Sequence, residues 1–528
     1  MFLESRDVCY EAFRSKDARF DGRLFIGVSS TGVYCRPVCR ARLPKKENCT
    51  YFATAAEAEQ AGYRPCLLCR PEFAPVRPAA DTSGDLAARA ASFLEENCGS
   101  GLSMEETAAR LGCTSRHLRR VFEKEYHVTP VQYQQTCRLL LAKNLLTDTD
   151  LSVMNVAMAA GFGSLRRMNE LFQKQYRLSP AELRKTAGKA EKTAGDAAMG
   201  RGDAAAETGN TAMGRGDAAA ETGNTAMGPG NAAAKTGSIT VEMGYRPPYA
   251  WDGLLKFLEA RAIAGVETVT DGRYARTVRM KDRNGKILRG WIQVENLEEK
   301  GRLGLTVSES LLPALPQVRT RVRRMFDLDC DPEVIAGRLK VMDELRPGLF
   351  VPGVRIPGCF DAFETSVRII LGQQISVKAA GTLAARLAAH YGSPVETGLD
   401  GLNRSFPTAE DFLAMGDKIQ ENLGVLGVTS ARSESIRLLA EALEKGVLHL
   451  DQSADPEEEM ERLQSLRGIG SWTAQNIVMR TMGWPDAFLE TDAGIRHALP
   501  GQTPKELREL SEQWRPWRSY AMFQLWNT

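Results

Sequence analysis

LRGIGSWTAQNIVMR at residues 466–480, followed by DAFLETDAGIRHAL at 486–499, decides how the C-terminal half of the chain reads. A helix, a Gly-x-Gly turn at Gly468 to Gly470 and a second helix form a hairpin. Its backbone N–H groups stand at a helix N-terminus, where they suit a nucleic-acid phosphate. Gly-Ile-Gly alone is a weak signal, and Asp492 downstream strengthens it. The bland alternative for Asp492 is an ordinary helix N-cap.

Outward from the hairpin, everything from about Leu311 onward reads helical. Ahead of it, the strand-like runs SITVEM (238–243), ETVTDGRYARTVRM (267–280), KILRGWIQVEN (286–296) and RLGLTVSES (302–310) surround one helix, WDGLLKFLEARAI (251–263). This half therefore predicts a small antiparallel sheet domain, 239–325, followed by an all-helical domain, 326–528.

From about Met243 to the end the chain resembles the AlkA-type 3-methyladenine DNA glycosylases, in YRPPYAWDGLLKFLEARAI, PGCFDAFETSVRIILGQQISV, the hairpin and WRPWRSYA. The resemblance implies a helix-hairpin-helix glycosylase with Asp492 as catalytic carboxylate, stabilising the cationic sugar as the glycosidic bond breaks. It places Gly468 and Gly470 on the DNA backbone and Trp472 and Trp526 in the base pocket, where aromatic faces suit a flipped, cationic base. Trp472 stands where lyase-competent relatives carry a lysine, so no Schiff base forms there and a monofunctional enzyme is expected. Cys359 is the last cysteine, so no terminal iron–sulfur cluster is expected. Three positions depart from the best-known relative: Thr491 replaces the first of two aspartates, Gln374 a leucine wedge, and Asn476 a pocket tyrosine. They bear on lesion range and flipping, and leave the catalytic carboxylate in place.

Upstream, AMGRGDAAAETGNT begins at Ala198, repeats at Ala212 and returns degenerately at Ala226. Such a segment has too little apolar surface to order itself, so 187–238 is expected to be a flexible linker that couples the halves by tethering and not by a rigid interface.

In the N-terminal part, Cys35 and Cys39, with Cys66 and Cys69 further on, have the spacing of a tetrahedral zinc site. A purely structural zinc staple is one reading. TGVYCRPVCRAR (31–42) and GYRPCLLCRP (62–71) closely resemble the N-terminal domain of the Ada family of alkylation-response proteins, over residues 1–78. That resemblance makes Cys35 both zinc ligand and nucleophile, taking a methyl group from a DNA methylphosphotriester, and makes Thr31, Arg40, Arg42 and Arg64 DNA contacts. The chemistry is reasonable because zinc keeps thiols deprotonated. Methylation removes one negative charge from a surface facing phosphates, so DNA affinity is expected to rise; the thioether is not readily reversed, so each molecule acts once.

Residues 82–186 repeat a helix-turn-helix pattern, LSMEETAARLGCTSRHLRRVFEKEY from Leu102 and LSVMNVAMAAGFGSLRRMNELFQKQY from Leu151, with Gly112 and Gly161 in the turns. With the closing YRLSPAELRK, the segment resembles the AraC-type DNA-binding domain. Arg116, His117 and Arg120 in the first unit, and Arg166, Arg167 and Asn169 in the second, are the expected base or phosphate contacts.

Composition agrees with such a chain. Of 528 residues, 43% are hydrophobic and 25% charged, with net charge +2. The stretch 14–46 carries nine basic residues against two acidic, a footprint suited to phosphates or simply a solvated face. Eleven cysteines, most of them scattered, do not form a disulfide framework, and no apolar run is long enough for a membrane helix. A soluble, cytoplasmic protein is expected, mainly α with α+β parts, with double-stranded, alkylated and promoter DNA and RNA polymerase as partners and the monomer as its working unit. No PCHR motif of an O6-alkylguanine acceptor is present. Two narrower readings remain at this stage: a regulator whose C-terminal half only binds DNA, and a glycosylase with a non-reactive zinc staple.

Overall fold

The computed structural model describes residues 5–75, 85–99, 101–186, 237–282, 285–451 and 454–527. Its first unit is built around β1 (Phe25–Val28), which pairs antiparallel with β2 (Val33–Cys35) and β3 (Cys49–Phe52). The turn from β1 to β2 passes through Gly32 at φ +65°, a conformation that costs a side-chain-bearing residue energy. β2 pairs in parallel with β4 (Arg64–Pro65), giving the order β3-β1-β2-β4. α1 (Arg6–Arg14) adds Cys9 and Phe13 to a core otherwise made by Leu24, Ile26, Val28 and the clustered cysteines. So small a hydrophobic core makes a metal staple physically useful. α2 (Ala55–Gln60) completes the unit.

α3 (Asp85–Glu96) opens the helical unit. α4 (Met104–Arg110) and α5 (Ser115–Tyr126) form the first helix-turn-helix, α7 (Val153–Ala159) and α8 (Leu165–Tyr176) the second, and the nineteen-residue α6 (Pro130–Asp148) lies between them. Both turns use the expected glycines, Gly112 at φ +69° and Gly161 at φ +81°. Thr114 and Ser164 cap the two second helices by accepting from the backbone N–H of His117 and Arg167. Leu118, Phe122 and Tyr126 in the first unit, and Met168, Phe172 and Tyr176 in the second, make the buried faces.

The C-terminal half begins with an antiparallel sheet in the order β5-β9-β8-β7-β6. Its strands β5 (Ser238–Gly244), β6 (Glu267–Thr270), β7 (Arg273–Lys281), β8 (Ile287–Leu297) and β9 (Arg302–Ser308) fall on the four strand-like runs. The helix Trp251–Glu259 packs between them and the helices that follow from Leu315. Most of the expected linker, 187–236, lies outside the described residues; Ser238, where the expected linker ends and the strand-like run SITVEM begins, pairs with Ser308 as the first residue of β5.

Among the described residues, the halves are not related by a tether alone. Arg23 pairs with Asp331 at 2.7 Å, Arg324 with Glu96 at 2.7 Å, and Arg246 donates to the Asp21 carbonyl at 3.1 Å. The expectation of tethered independence rested on linker composition. The contacts that overturn it are arginine–carboxylate and backbone pairs, which carry no periodic signal in sequence.

Candidate functional site

The register of β2 against β4 sets Tyr34 beside Pro65, so that Cys35 and Cys66 follow side by side. The Cys66 N–H donates to the Tyr34 carbonyl at 3.0 Å, and the Arg36 N–H reaches the Cys69 sulfur at 3.4 Å. The Sγ atoms of Cys35, Cys39, Cys66 and Cys69 all lie within 4.8 Å of one another, and all four residues are buried. Tetrahedral zinc with metal–sulfur bonds near 2.3 Å places its sulfurs about 3.8 Å apart, so the donor set fits one zinc ion. The sulfurs also perturb one another: hydrogen bonds from Cys35, Cys39 and Cys69 pull the Cys66 thiol down, while the hydrogen bond with Cys39 pushes Cys35 up. Four thiolates in so small a volume require a cation.

The residues flanking the ligands anchor the site. Arg36 is buried, donating from Nε to Asp21 at 2.8 Å and from one terminal nitrogen to the Cys69 carbonyl at 3.2 Å. Arg70, next to Cys69, pairs with Asp148 at the end of α6 at 2.5 Å. Glu59, 1% exposed, joins the zinc unit to the helix-turn-helix unit. It accepts from the hydroxyls of Tyr34 at 3.2 Å, Tyr176 at 2.9 Å and Thr136 at 2.9 Å. Burial pushes its carboxyl up to about 7, against the pull of those hydrogen bonds and of Lys143. Sequence reading missed Asp21, Arg36 and Glu59, because each is an isolated polar residue whose partners are remote in the chain.

Thr31, Arg40 and Arg42 are exposed and Arg64 is half-buried; the Arg64 N–H donates to the Gly32 carbonyl at 3.0 Å, which brings it to the turn that carries Thr31. On α5, Arg116, His117 and Arg120 are all exposed, and Arg120 meets the His117 Nδ1 at 3.0 Å. On α8, Arg166, Arg167 and Asn169 are likewise exposed, with Arg166 held by Glu170 at 2.9 Å.

In the C-terminal half the hairpin joins the helices Pro456–Ser465 and Ser471–Met482. Gly468 is required twice over: its φ is +85°, and a Cβ there would lie 2.2 Å from the Ser435 hydroxyl. Gly470 stands exposed as N-cap of the second helix. Gln373, absent from the sequence reading, donates from Nε2 to the Gly468 carbonyl and to Thr473, each at 3.0 Å, and its neighbour Gln374 is exposed at φ +56°.

Asp492 does cap the helix Ala493–Ala498, accepting the Gly494 N–H at 2.8 Å. It is also gripped by both expected pocket residues: Trp526 Nε1 donates to Oδ1 at 2.9 Å and Trp472 Nε1 to Oδ2 at 3.3 Å. The Trp526 ring lies parallel to Phe257 at 6.3 Å, and the Arg261 guanidinium covers Phe257 at 3.7 Å. Burial pulls Arg261 down to about 10 and, on the same ring, Arg480 to about 9. Asn476 is buried, and its Oδ1 has no hydrogen-bond partner among the described residues; Thr491 is exposed.

A thiolate zinc centre, two helix-turn-helix units and a hairpin-bearing carboxylate site on one chain define a DNA-directed protein of combined regulatory and repair type. Residues 8–72 match the metal binding domain of Ada, 107–186 a helix-turn-helix domain, and 240–361 the AlkA N-terminal domain. Over 526 residues the chain is 34% identical to the "Probable bifunctional transcriptional activator/DNA repair enzyme AlkA" of Mycobacterium tuberculosis, covering 98% of this chain and 96% of that one. The chain belongs to that family of bifunctional transcriptional activator/DNA repair enzymes. It is also 37% identical over 286 residues to the DNA-3-methyladenine glycosylase 2 of Escherichia coli, covering 54% of this chain and 96% of the relative. To the bifunctional transcriptional activator/DNA repair enzyme Ada of the same organism it is 33% identical over 156 residues, covering 30% of this chain and 42% of the relative.

Proposed function

We propose that this chain repairs alkylated DNA in two ways and reports one of them to transcription. Cys35 accepts the methyl group of a DNA methylphosphotriester: a carbon–sulfur bond forms, the methyl carbon–oxygen bond breaks, and the phosphodiester leaves with the electron pair. Zinc held by Cys35, Cys39, Cys66 and Cys69 supplies the charge that keeps these sulfurs ionised at neutral pH. Thr31, Arg40, Arg42 and Arg64 face the phosphates. The product thioether is stable, so each molecule turns over once, and the lost negative charge favours DNA binding.

The C-terminal half excises alkylated bases such as 3-methyladenine. Asp492 stabilises the positive sugar formed as the base leaves, water completes the hydrolysis, and Trp472 and Trp526 line the pocket for the flipped base. With tryptophan at the position of the lyase lysine, the enzyme is a monofunctional glycosylase. Gly468 and Gly470 hold the DNA backbone, and Gln374 stands where the wedge would enter the duplex. The observation that carries this reading is the Asp492 carboxylate held between two indole N–H groups beside a hairpin.

The exposed faces of α5 and α8, with Arg116, His117, Arg120, Arg166, Arg167 and Asn169, read promoter DNA, and RNA polymerase is the partner recruited there. The protein acts in the cytoplasm as a monomer; no helix among the described residues is long and apolar enough to cross a membrane. Replacing the six α5 and α8 residues by alanine should remove promoter binding and spare methyl uptake and base release. Loss of all three activities together contradicts this division of labour.

A further inference from the structure

We propose that residues 5–186 dock on the C-terminal half as a specific partner, through a face that holds the halves together without the covalent linker. A flexible tether alone leaves domains free to move, and a weak contact can persist merely because the tether keeps the local concentration near millimolar. Four features of the contact point to more than that.

Arg246, 4% exposed, bridges the halves: one guanidinium nitrogen donates to the Asp21 carbonyl and another to the Asp329 carbonyl, each at 3.1 Å. Arg23 and Asp331 pair at 2.7 Å with side chains only 16% and 9% exposed. Arg324 pairs with Glu96 at 2.7 Å and donates to the Ser92 hydroxyl at 3.2 Å. Phe73 packs against two guanidinium groups, Arg70 of its own half at 4.2 Å and Arg302 of the other at 3.9 Å from the ring centre.

Charges buried this far from water are costly unless matched, so complementary placement at several separate points is the mark of a selected interface. Backbone geometry agrees: a Cβ at Gly244 on β5 would lie 1.9 Å from the Phe73 carbonyl, so the strand's approach to the other half needs glycine. The docking face also leads to the cysteine site, because Asp21, whose carbonyl meets Arg246, holds Arg36 with its carboxylate. The partner is thus the folded zinc and helix-turn-helix body of this same chain. The inference does not depend on methyl transfer or base excision.

The test uses the full chain with a specific protease site placed within 187–236, cleaved after folding and run by size exclusion at micromolar concentration. The halves should co-elute. Glu96→Arg and Arg324→Glu should each weaken association by about tenfold or more, as like-charge juxtaposition at an interface does. The two together should recover part of it, because the pair is re-formed with its signs exchanged while Arg321, 3.9 Å from Glu96, still opposes an arginine there. Separation of the wild-type halves overturns the proposal, as does association unaffected by either single change or further weakened by the double one.

Discussion

Trp526 Nε1 donates to Asp492 Oδ1 at 2.9 Å while Trp472 Nε1 holds the other carboxylate oxygen at 3.3 Å. With the Gly494 N–H also on Oδ1, the carboxylate is fixed in orientation and sits at the positive end of a short helix. The cap and catalytic readings of Asp492 are therefore compatible, since the same hydrogen bonds that start the helix aim the charge.

Replacing Asp492 by asparagine keeps a good helix cap and removes the charge. Base release should fall by roughly 10²–10³-fold or more, the scale of losing a main electrostatic stabiliser. Thermal unfolding should move little, because asparagine caps about as well as aspartate. Release at the wild-type rate would require another acid.

Trp526→Phe retains an aromatic ring beside Phe257 and deletes the N–H. A hydrogen bond to a charged group is worth about 1.5–3 kcal/mol, so excision should slow by roughly 10- to 100-fold. Single-turnover rates on methylated DNA measure this, and an unchanged rate would show that the indole N–H does not hold the working carboxylate.

Cys35→Ala should abolish methyl uptake, and Cys39→Ala should also lower zinc content, measured by metal analysis of the folded protein. Base release should survive the Cys35 change, since its residues lie in the other half. Methyl label appearing on a Cys35→Ala chain would assign the acceptor elsewhere.

Asp327 gives a pH signature. Burial pushes its carboxyl up to about 6, against the Arg355 charge and the hydrogen bonds from Tyr520 and Ile356. The folded chain therefore keeps a proton that the unfolded chain releases near pH 4, and this group's contribution is complete below that point and lost as pH rises through about 6. Asp327→Asn should gain on the wild type by on the order of 1–2 kcal/mol between pH 4 and 8. Tryptophan fluorescence isolates the right half, because all seven tryptophans lie from Trp251 onward. Parallel pH profiles for the two chains would contradict the assignment.

Much of this organisation was legible because it is local. The cysteine spacing, the glycines of both helix-turn-helix units, the strand-like runs and Gly468 to Gly470 each carry their structural reason within a few residues. What escaped was long-range and polar. Glu59 gathers hydroxyls from Tyr34, Thr136 and Tyr176, and Arg246 meets Asp21 across 225 positions of sequence. No periodicity marks such pairs, and the linker's composition spoke only for the linker.

Whether one chain both excises bases and accepts methyl groups is decided by following the two products in a single tube. Methylated DNA carrying labelled methyl groups is incubated with wild type and with Asp492→Asn, and free 3-methyladenine and protein-bound label are measured together. Catalytic base release is expected from wild type only, with label reaching at most one methyl per chain on Cys35 in both proteins. No base release from wild type, or equal release from Asp492→Asn, would contradict it.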